Sequence, residues 1–264
     1  MAELSADRGG AGAGQDGAEP GGAAPGEDLP LELRERLYRQ IPFAIPGIAV
    51  VPVVLGIILA TTLAPGRAGS AALGAAGWVV ALALRMPAAL AASRMPGWKK
   101  TPTLMTTFMS AISGPAEEGV RLLMVLFLVK GFGSLLWAGF GWGTVEVVYT
   151  LVNAVVIRRL LVDPSEKAAE ARRALASMGF LQYVRTLVPV LGAVERGAVT
   201  LLHTAFTLLL GWNPWLVFVT MPVHSAVNLS AMRLVRRRSV ILMEAMVVVV
   251  SAACFILALL AWHR

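Results

Sequence analysis

The chain has 264 residues, of which 57% are hydrophobic and only 15% are charged. A soluble domain is usually about a quarter charged, so this composition excludes an ordinary soluble protein and indicates a multi-pass membrane protein. The net charge of +7 would suggest a nucleic-acid partner for a soluble chain. Here the basic residues lie in loops between apolar runs, so no nucleic-acid binding is expected.

The N-terminal residues differ from the rest of the chain. Residues 1–29 are rich in Gly, Ala and acidic side chains and show no apolar periodicity, which predicts a disordered tail. The tail lacks the basic start and apolar centre of a signal peptide. Residues 30–40, "PLELRERLYRQ", predict a short amphipathic helix at the membrane surface. Residues 41–264 are predicted to form the transmembrane domain.

Seven apolar runs follow, and each is long enough for a helix to cross a bilayer, which needs about 20 residues. The predicted fold class is therefore all-α, a polytopic transmembrane helical bundle. The third run contains Gly114 and Pro115, which predict a kink or a break, because Pro115 cannot donate its backbone hydrogen bond. Only protein or water nearby makes such a proline tolerable in a membrane. The predicted spans are 41–63, 72–92, 103–129, 134–156, 187–210, 214–232 and 240–262.

The loop charges predict the orientation of these spans. The loops at one set of span ends carry 16 Lys and Arg residues, and those at the other set carry three. By the positive-inside rule, the N-terminus is expected in the cytoplasm and the C-terminus outside. The expected localisation is the plasma membrane, with the lipid bilayer as the main surrounding medium.

Several ionisable residues lie within the predicted spans, among them Glu117, Glu118 and Glu146. A charge at mid-bilayer costs on the order of 3 kcal/mol, and such residues usually face the bundle interior and mark a functional site. His203 and His224 lie at similar depth, counted from a rise of about 1.5 Å per residue. We therefore expect these side chains to meet at one water-accessible cavity.

Spacing within the helices adds further expectations. Glu117 and Arg121 are four residues apart, so they are expected to share a helix face, where they can form an ion pair. His224 and Asn228 have the same spacing in the sixth span. Gly139, Gly141 and Gly143 come just before Glu146 and predict the close approach of a neighbouring helix.

Each of these features also has a purely structural interpretation. An isolated Glu–Arg pair in a membrane helix often serves only to satisfy two charges. His224 alone could bond a backbone carbonyl, and Glu195 and Arg196 are interpreted as a structural pair. Trp142 is expected to pack in the core or to form a wall of the site. The joint arrangement on four helices is what favours a functional site.

Four short motifs occur in order on these spans: "EEGVR" (117–121), "GFGWGTVE" (139–146), "ERGAVTLLH" (195–203) and "HSAVN" (224–228). This set resembles the glutamate/histidine intramembrane proteases, the superfamily of the CAAX prenyl proteases and PrsW. Within that superfamily the chain looks most like the YhfC-type intramembrane metalloproteases. The resemblance covers residues 103–232.

The resemblance implies an intramembrane endopeptidase whose glutamates and histidines activate water against a peptide bond. The substrate would be a membrane-associated or membrane-spanning peptide or protein. Carried across by motif, the implied catalytic residues are Glu117, Glu118, Arg121, Glu146, His203, His224 and Asn228.

The chemistry of the site has two forms that the sequence leaves open. A glutamate can act as general base without a metal. Alternatively, Glu146, His203 and His224 could hold a zinc ion with one open position for water. No other cofactor is expected. Two further alternatives are a catalytically inactive relative that acts as a membrane scaffold and a proton-coupled transporter, since buried Glu and His also form proton relays.

Overall fold

The computed structural model describes residues 28–95, 102–177, 189–237 and 239–263. In these ranges the chain forms helices and no strand, which confirms the all-α fold class. Residues 1–27 of the predicted tail lie outside the described residues. The helices are α1 (Leu31–Thr62), α2 (Ala68–Arg94), α3 (Pro102–Phe127), α4 (Phe132–Val162), α5 (Glu166–Ser177), α6 (Pro189–Trp212), α7 (Val217–Arg236) and α8 (Val240–Trp262), with a short 3-10 turn (Pro214–Leu216) before α7.

Seven of these helices are long, and each coincides with one predicted span. Five of them, namely α1, α2, α6, α7 and α8, are long and apolar enough to cross a membrane. The other two long helices, α3 and α4, carry the motif acids. The structure therefore supports a membrane protein with at least five candidate spans in the described part of the chain.

The first helix corrects one predicted boundary. The amphipathic segment 30–40 and the first span were expected to be separate, but α1 runs without interruption through Pro42. Its first turns bury Leu33, Leu37 and Ile41 against Leu161 at the end of α4. The apolar side chains of this segment therefore pack against other parts of the protein.

Helix α4 is the centre of the bundle. All nine residues from Leu135 to Gly143 are buried, which requires neighbours on every side of the helix. Those neighbours are α1, α2 and α6. Glu146 follows this buried stretch on the same helix, three residues beyond Gly143.

The three glycines of α4 allow this packing. A Cβ atom on Gly139 or Gly143 would lie 2.5 or 2.6 Å from a backbone Cα of α6, and one on Gly141 would lie 2.0 Å from the carbonyl of Ala71 on α2. Any larger side chain would push these helices apart. The predicted close approach is thus confirmed on two faces, and it brings His203 of α6 beside α4.

Pro115 lies inside a continuous helix, so of the predicted kink or break, the break is absent. The missing amide of Pro115 leaves the carbonyl of Ala111 without its usual donor. Ser225 of α7 donates to that carbonyl at 2.7 Å. A Cβ on Gly114 would lie 2.2 Å from the carbonyl of Met221, so the glycine lets α7 come this close. The pair therefore docks α7, with His224, against α3.

Contacts between helix ends show how the chain alternates. Arg34 at the start of α1 donates to the carbonyl of Leu161 at the end of α4, at 2.8 Å. At the opposite ends of the same two helices, Trp137 donates to Ala64 at 3.2 Å. Helices α1 and α4 are therefore antiparallel, as alternation across a membrane requires.

Candidate functional site

The two adjacent glutamates of α3 have different partners. Glu118 is fully buried and pairs with Arg121, whose Nη1 lies 2.6 Å from its Oε1. The expected Glu117–Arg121 pair is therefore wrong, and the arginine bonds the residue three positions earlier. Arg121 is also fully buried and lies over the Trp142 ring, 4.4 Å from its centroid. Because α3 turns by about 100° per residue, one glutamate can face the packed interior while its neighbour faces elsewhere.

Glu117 takes partners from two other helices. Its Oε1 lies 3.0 Å from Nη1 of Arg85 on α2, and its Oε2 accepts a hydrogen bond of 3.2 Å from Nε1 of Trp142 on α4. The residue is 3% exposed. Trp142 was expected to pack or to form a wall; it is completely buried and also binds a site carboxylate.

His203 connects Arg121 to Glu146. Nη2 of Arg121 lies 2.8 Å from Nδ1 of His203, and Nε2 of the same ring lies 2.7 Å from Oε2 of Glu146. A guanidinium can only donate, so Nδ1 accepts and the ring proton is on Nε2, which donates to Glu146. The second oxygen of Glu146 lies 3.1 Å from Nη1 of Arg196. Arg196 also pairs with Glu195, as the structural interpretation expected.

His224 lies between the two glutamates. Its Nδ1 donates to Oε1 of Glu118 at 2.8 Å, and its Nε2 lies 3.8 Å from Oε1 of Glu117. The rings of His224 and His203 are 5.5 Å apart between centroids. Asn228, one turn further along α7, donates to Oγ of Ser113 at 2.7 Å.

These side chains adjoin a cavity of about 810 Å³. Its walls combine apolar residues of α1, α6 and α7 with polar residues of the site. The cavity extends along α4 from Glu146 to Leu160, about 21 Å at 1.5 Å per residue, and reaches α5. Glu118 and Arg121 lie behind this wall. The polar residues in the lining include Arg85, Glu117, Glu146, Glu195, Arg196, His203, His224 and Asn228.

The expected convergence of the site side chains is observed in the structure. Helices α3, α4, α6 and α7 bring all seven predicted site residues to one region, six of them through a connected set of polar contacts, while Asn228 joins the cavity wall separately. The catalytic roles of these residues remain a proposal.

A metal site was one of the two chemical forms left open. Ligand atoms of Glu117, Glu146 and His203 all lie within 4.8 Å of one another, so this group could hold a metal ion by proximity. It differs from the expected set because Glu117 takes the place of His224. Metal-bound histidine normally donates its second ring N–H to an acceptor. Here that nitrogen faces Arg121, which cannot accept, so the hydrogen bonding does not fit a metal on His203.

Two members of the site fall outside the residues predicted from the motifs. These are Arg85, which lies in the second predicted span, and Arg196, which was interpreted as the structural partner of Glu195. The signal that marks Arg85 is its isolation, since it is the one charged residue of α2 before the terminal Arg94. Sequence spacing cannot reveal its partner, because the contact joins different helices.

Comparison with family models, characterised proteins and solved structures finds no match to this chain.

Proposed function

We propose that this protein is an intramembrane endopeptidase that hydrolyses a peptide bond of a membrane-associated or membrane-spanning substrate. The observation that carries this proposal is the placement of Glu117 and His224 side by side on the cavity wall, with Oε1 and Nε2 3.8 Å apart. A carboxylate beside an imidazole supplies both a proton acceptor and a proton carrier for hydrolysis. The resemblance of the four motifs to glutamate/histidine intramembrane proteases implies the same activity.

Glu117 is the general base in this proposal. It lines the cavity, whereas Glu118 lies behind the wall with both Arg121 and His224 bonded to one oxygen. Glu117 accepts a proton from water as the water oxygen attacks the peptide carbonyl carbon. When the tetrahedral intermediate collapses, the C–N bond breaks and the leaving amine takes that proton. Glu118 positions His224 through its 2.8 Å hydrogen bond.

The second pair, Glu146 and His203, completes the polar floor of the cavity. His203 donates from Nε2 to Glu146, so the ring orientation is fixed from both sides by Arg121 and Glu146. The Glu146 carboxylate thus contacts both His203 and Arg196, and one of its oxygens lies within 4.8 Å of a carboxylate oxygen of Glu117. The metal-free form of hydrolysis is favoured, because the proton on Nε2 would have to leave before His203 could bind zinc.

The cavity fits a substrate that reaches the site from one membrane face. The end of the cavity that Leu160 and α5 line is on the side of the Arg-rich loops, which the positive-inside rule assigns to the cytoplasm. Plasma-membrane location with a cytoplasmic N-terminus is part of this proposal.

The experiment uses the purified full-length protein in lipid nanodiscs and a library of tagged membrane peptides. Mass spectrometry reads the cleavage products of the wild type and of Glu117→Gln, with and without a chelator. We expect defined products from the wild type only. A library that stays intact with the wild type, or products that Glu117→Gln forms at the same rate, would overturn the proposal.

A further inference from the structure

Arg85 is an isolated charge in the middle of an apolar helix. Its side chain is 13% exposed and lines the cavity, where it meets Glu117 at 3.0 Å. A charge inside an apolar span is costly unless it is compensated, and intramembrane charges of this kind mark functional sites. The proposed base, Glu117, supplies one compensating partner.

The hydrogen-bonding capacity of Arg85 exceeds what its surroundings use. A guanidinium has five N–H donors. Among the described residues, Glu117 is the carboxylate that pairs with Arg85, and it contacts Nη1. The Nε atom is buried and has no hydrogen-bond partner in the described part of the chain.

The other two arginines of the site each bond two side chains of the protein. Arg121 is fully buried and bonds both Glu118 and His203. Arg196 pairs with two carboxylates, those of Glu146 and Glu195. Of these three, Arg85 is the cation that both lines the cavity and pairs with a single carboxylate among the described residues.

We propose that Arg85 is a further catalytic residue, the group that binds the oxyanion formed on the substrate carbonyl. This inference rests on the proposed function. Peptide hydrolysis requires donors aimed at the oxygen on which charge develops, about 3 Å from the donor atoms. Such a donor must lie close to the base, because the attacked carbon is bonded to both the water oxygen and the oxyanion. The contact between Arg85 and Glu117 meets this requirement.

The movement of charge during attack explains why one guanidinium can serve both groups. Before attack, the negative charge is on the carboxylate of Glu117. As water adds, Glu117 takes its proton and becomes neutral, while the carbonyl electron pair moves to the substrate oxygen. The negative charge thus moves from the Glu117 carboxylate to the substrate oxygen, and in the proposal Arg85 contacts each of these groups while it is charged. Collapse of the intermediate re-forms the carbonyl and returns the charge to Glu117.

A merely structural role for Arg85, as the anchor of Glu117, predicts different behaviour toward an anion. Butylphosphonate is a small tetrahedral anion, and its saturable binding to the protein in nanodiscs can be followed by phosphorus NMR. In Glu117→Gln the competing carboxylate is removed, so an oxyanion-binding Arg85 should hold butylphosphonate about tenfold more tightly than in the wild type. The double variant Glu117→Gln, Arg85→Gln should lose this gain. It contains no uncompensated buried charge at this pair, so folding should be preserved.

The matched control is Arg67→Gln, at the start of the same helix, where the exposed Arg67 bonds Ser134 and lies outside the cavity lining. Its addition to Glu117→Gln should leave the gain intact. Equal butylphosphonate affinity in the wild type and Glu117→Gln, or a gain that survives Arg85→Gln, would overturn the proposal.

Kinetics give a second measurement on any peptide that the wild type cleaves. Arg85→Gln should lower kcat by about a hundredfold, as loss of one oxyanion donor does, with KM little changed. Arg85→Lys should lie between the two, because an ammonium keeps the charge without the fork geometry. An unchanged kcat in Arg85→Gln would contradict the role. If no peptide is cleaved, the library experiment contradicts the proposed hydrolysis. The phosphonate measurement still decides whether Arg85 binds the tetrahedral anion.

Discussion

The charged residues of the candidate site fall into two groups. One group is packed inside the protein and the other lines the cavity, and the neighbouring residues Glu118 and Glu117 belong to different groups. On the packed side, Glu118 and Arg121 are 0% exposed and each is bonded at less than 3 Å. On the cavity side, Glu117 has longer contacts, and Nε2 of His224 lies 3.8 Å from it. Short contacts without access to water suit a positioning role, while longer contacts beside a cavity leave room for a reacting molecule. Two glutamates that look equivalent in the sequence therefore have distinct environments.

The packed side should dominate stability. In Arg121→Ala, the carboxylate of Glu118 is left buried without its cation, and breaking such a pair typically costs about 3–5 kcal/mol. We expect poor yield or a strongly lowered midpoint of thermal unfolding in nanodiscs, with loss of any cleavage. Adding Glu118→Gln to Arg121→Ala should recover part of the stability, since the uncompensated charge is then gone. If Arg121→Ala alone were as stable as the wild type, the packed side would not dominate stability.

The cavity side should dominate activity. Glu117→Gln keeps the shape of the side chain but removes the proton acceptor, so cleavage should fall at least about a hundredfold. The loss of stability should be smaller than in Arg121→Ala, because the Arg85 left without its carboxylate is 13% exposed and lines the cavity, whereas Glu118 and Arg121 are fully buried.

Glu118→Gln is the matched change on the packed side. It should reduce thermal stability more than Glu117→Gln does, because it weakens bonds to both Arg121 and His224. Cleavage rate and unfolding temperature measured on both variants check the comparison. If Glu118→Gln abolished cleavage at full stability while Glu117→Gln still cleaved, the assignment of base and positioning residue would be reversed.

The hydrogen bonds of His203 predict the response to metals. Because Nδ1 of His203 accepts from Arg121 and Nε2 donates to Glu146, neither ring nitrogen of His203 is free to bind zinc. Prolonged dialysis against a chelator should therefore leave both cleavage and thermal stability unchanged, and added zinc should not increase either. Metal content of the dialysed protein is measured alongside. Activity that disappears with the chelator and returns with zinc would contradict this arrangement.

The smallest expected effect lies outside the membrane-spanning helices. Arg172 of α5 bonds Asp28 from Nε at 2.7 Å and also donates to the carbonyls of Leu160 and Asp163, which fixes α5 at the end of the cavity that it lines. Hydrogen bonding by Arg172 lowers the pKa of Asp28 from 3.8 to about 2. A lowered pKa means that the contact stabilises the fold fully above pH about 4 and loses this effect as the pH falls toward 2.

Asp28→Asn should therefore lower the free energy of unfolding slightly at neutral pH, by less than about 1 kcal/mol, because ion pairs near the surface contribute little. The difference from the wild type should shrink as the pH falls from 4 to 2. The check is thermal unfolding of both proteins across this range. A difference that grows toward low pH would have the wrong sign.

Much of the scaffold could be predicted from the sequence, for reasons that are local. Apolar runs of the length that a bilayer requires gave the positions of the seven long helices. The glycines of α4 predicted close approach because a residue without a Cβ has few other uses inside a helix. Pro115 predicted an outside partner for a carbonyl, and Ser225 of α7 is that partner. The sequence did not reveal that α1 continues through residue 40, because the amphipathic stripe of its first turns packs on Leu161, 120 to 128 residues away in the chain.

The sequence by itself determined that charged residues meet inside an apolar bundle, because lipid cannot solvate them and only one another can compensate them. It did not determine which of them meet. Glu118 rather than Glu117 bonds Arg121, Arg85 reaches Glu117 from α2, and Trp142 donates to the same carboxylate. Those pairings depend on the rotation of each helix and on contacts between segments far apart in the chain. Spacing within one helix restricts which residues share a face, but only the packing of the helices sets which face meets the cavity.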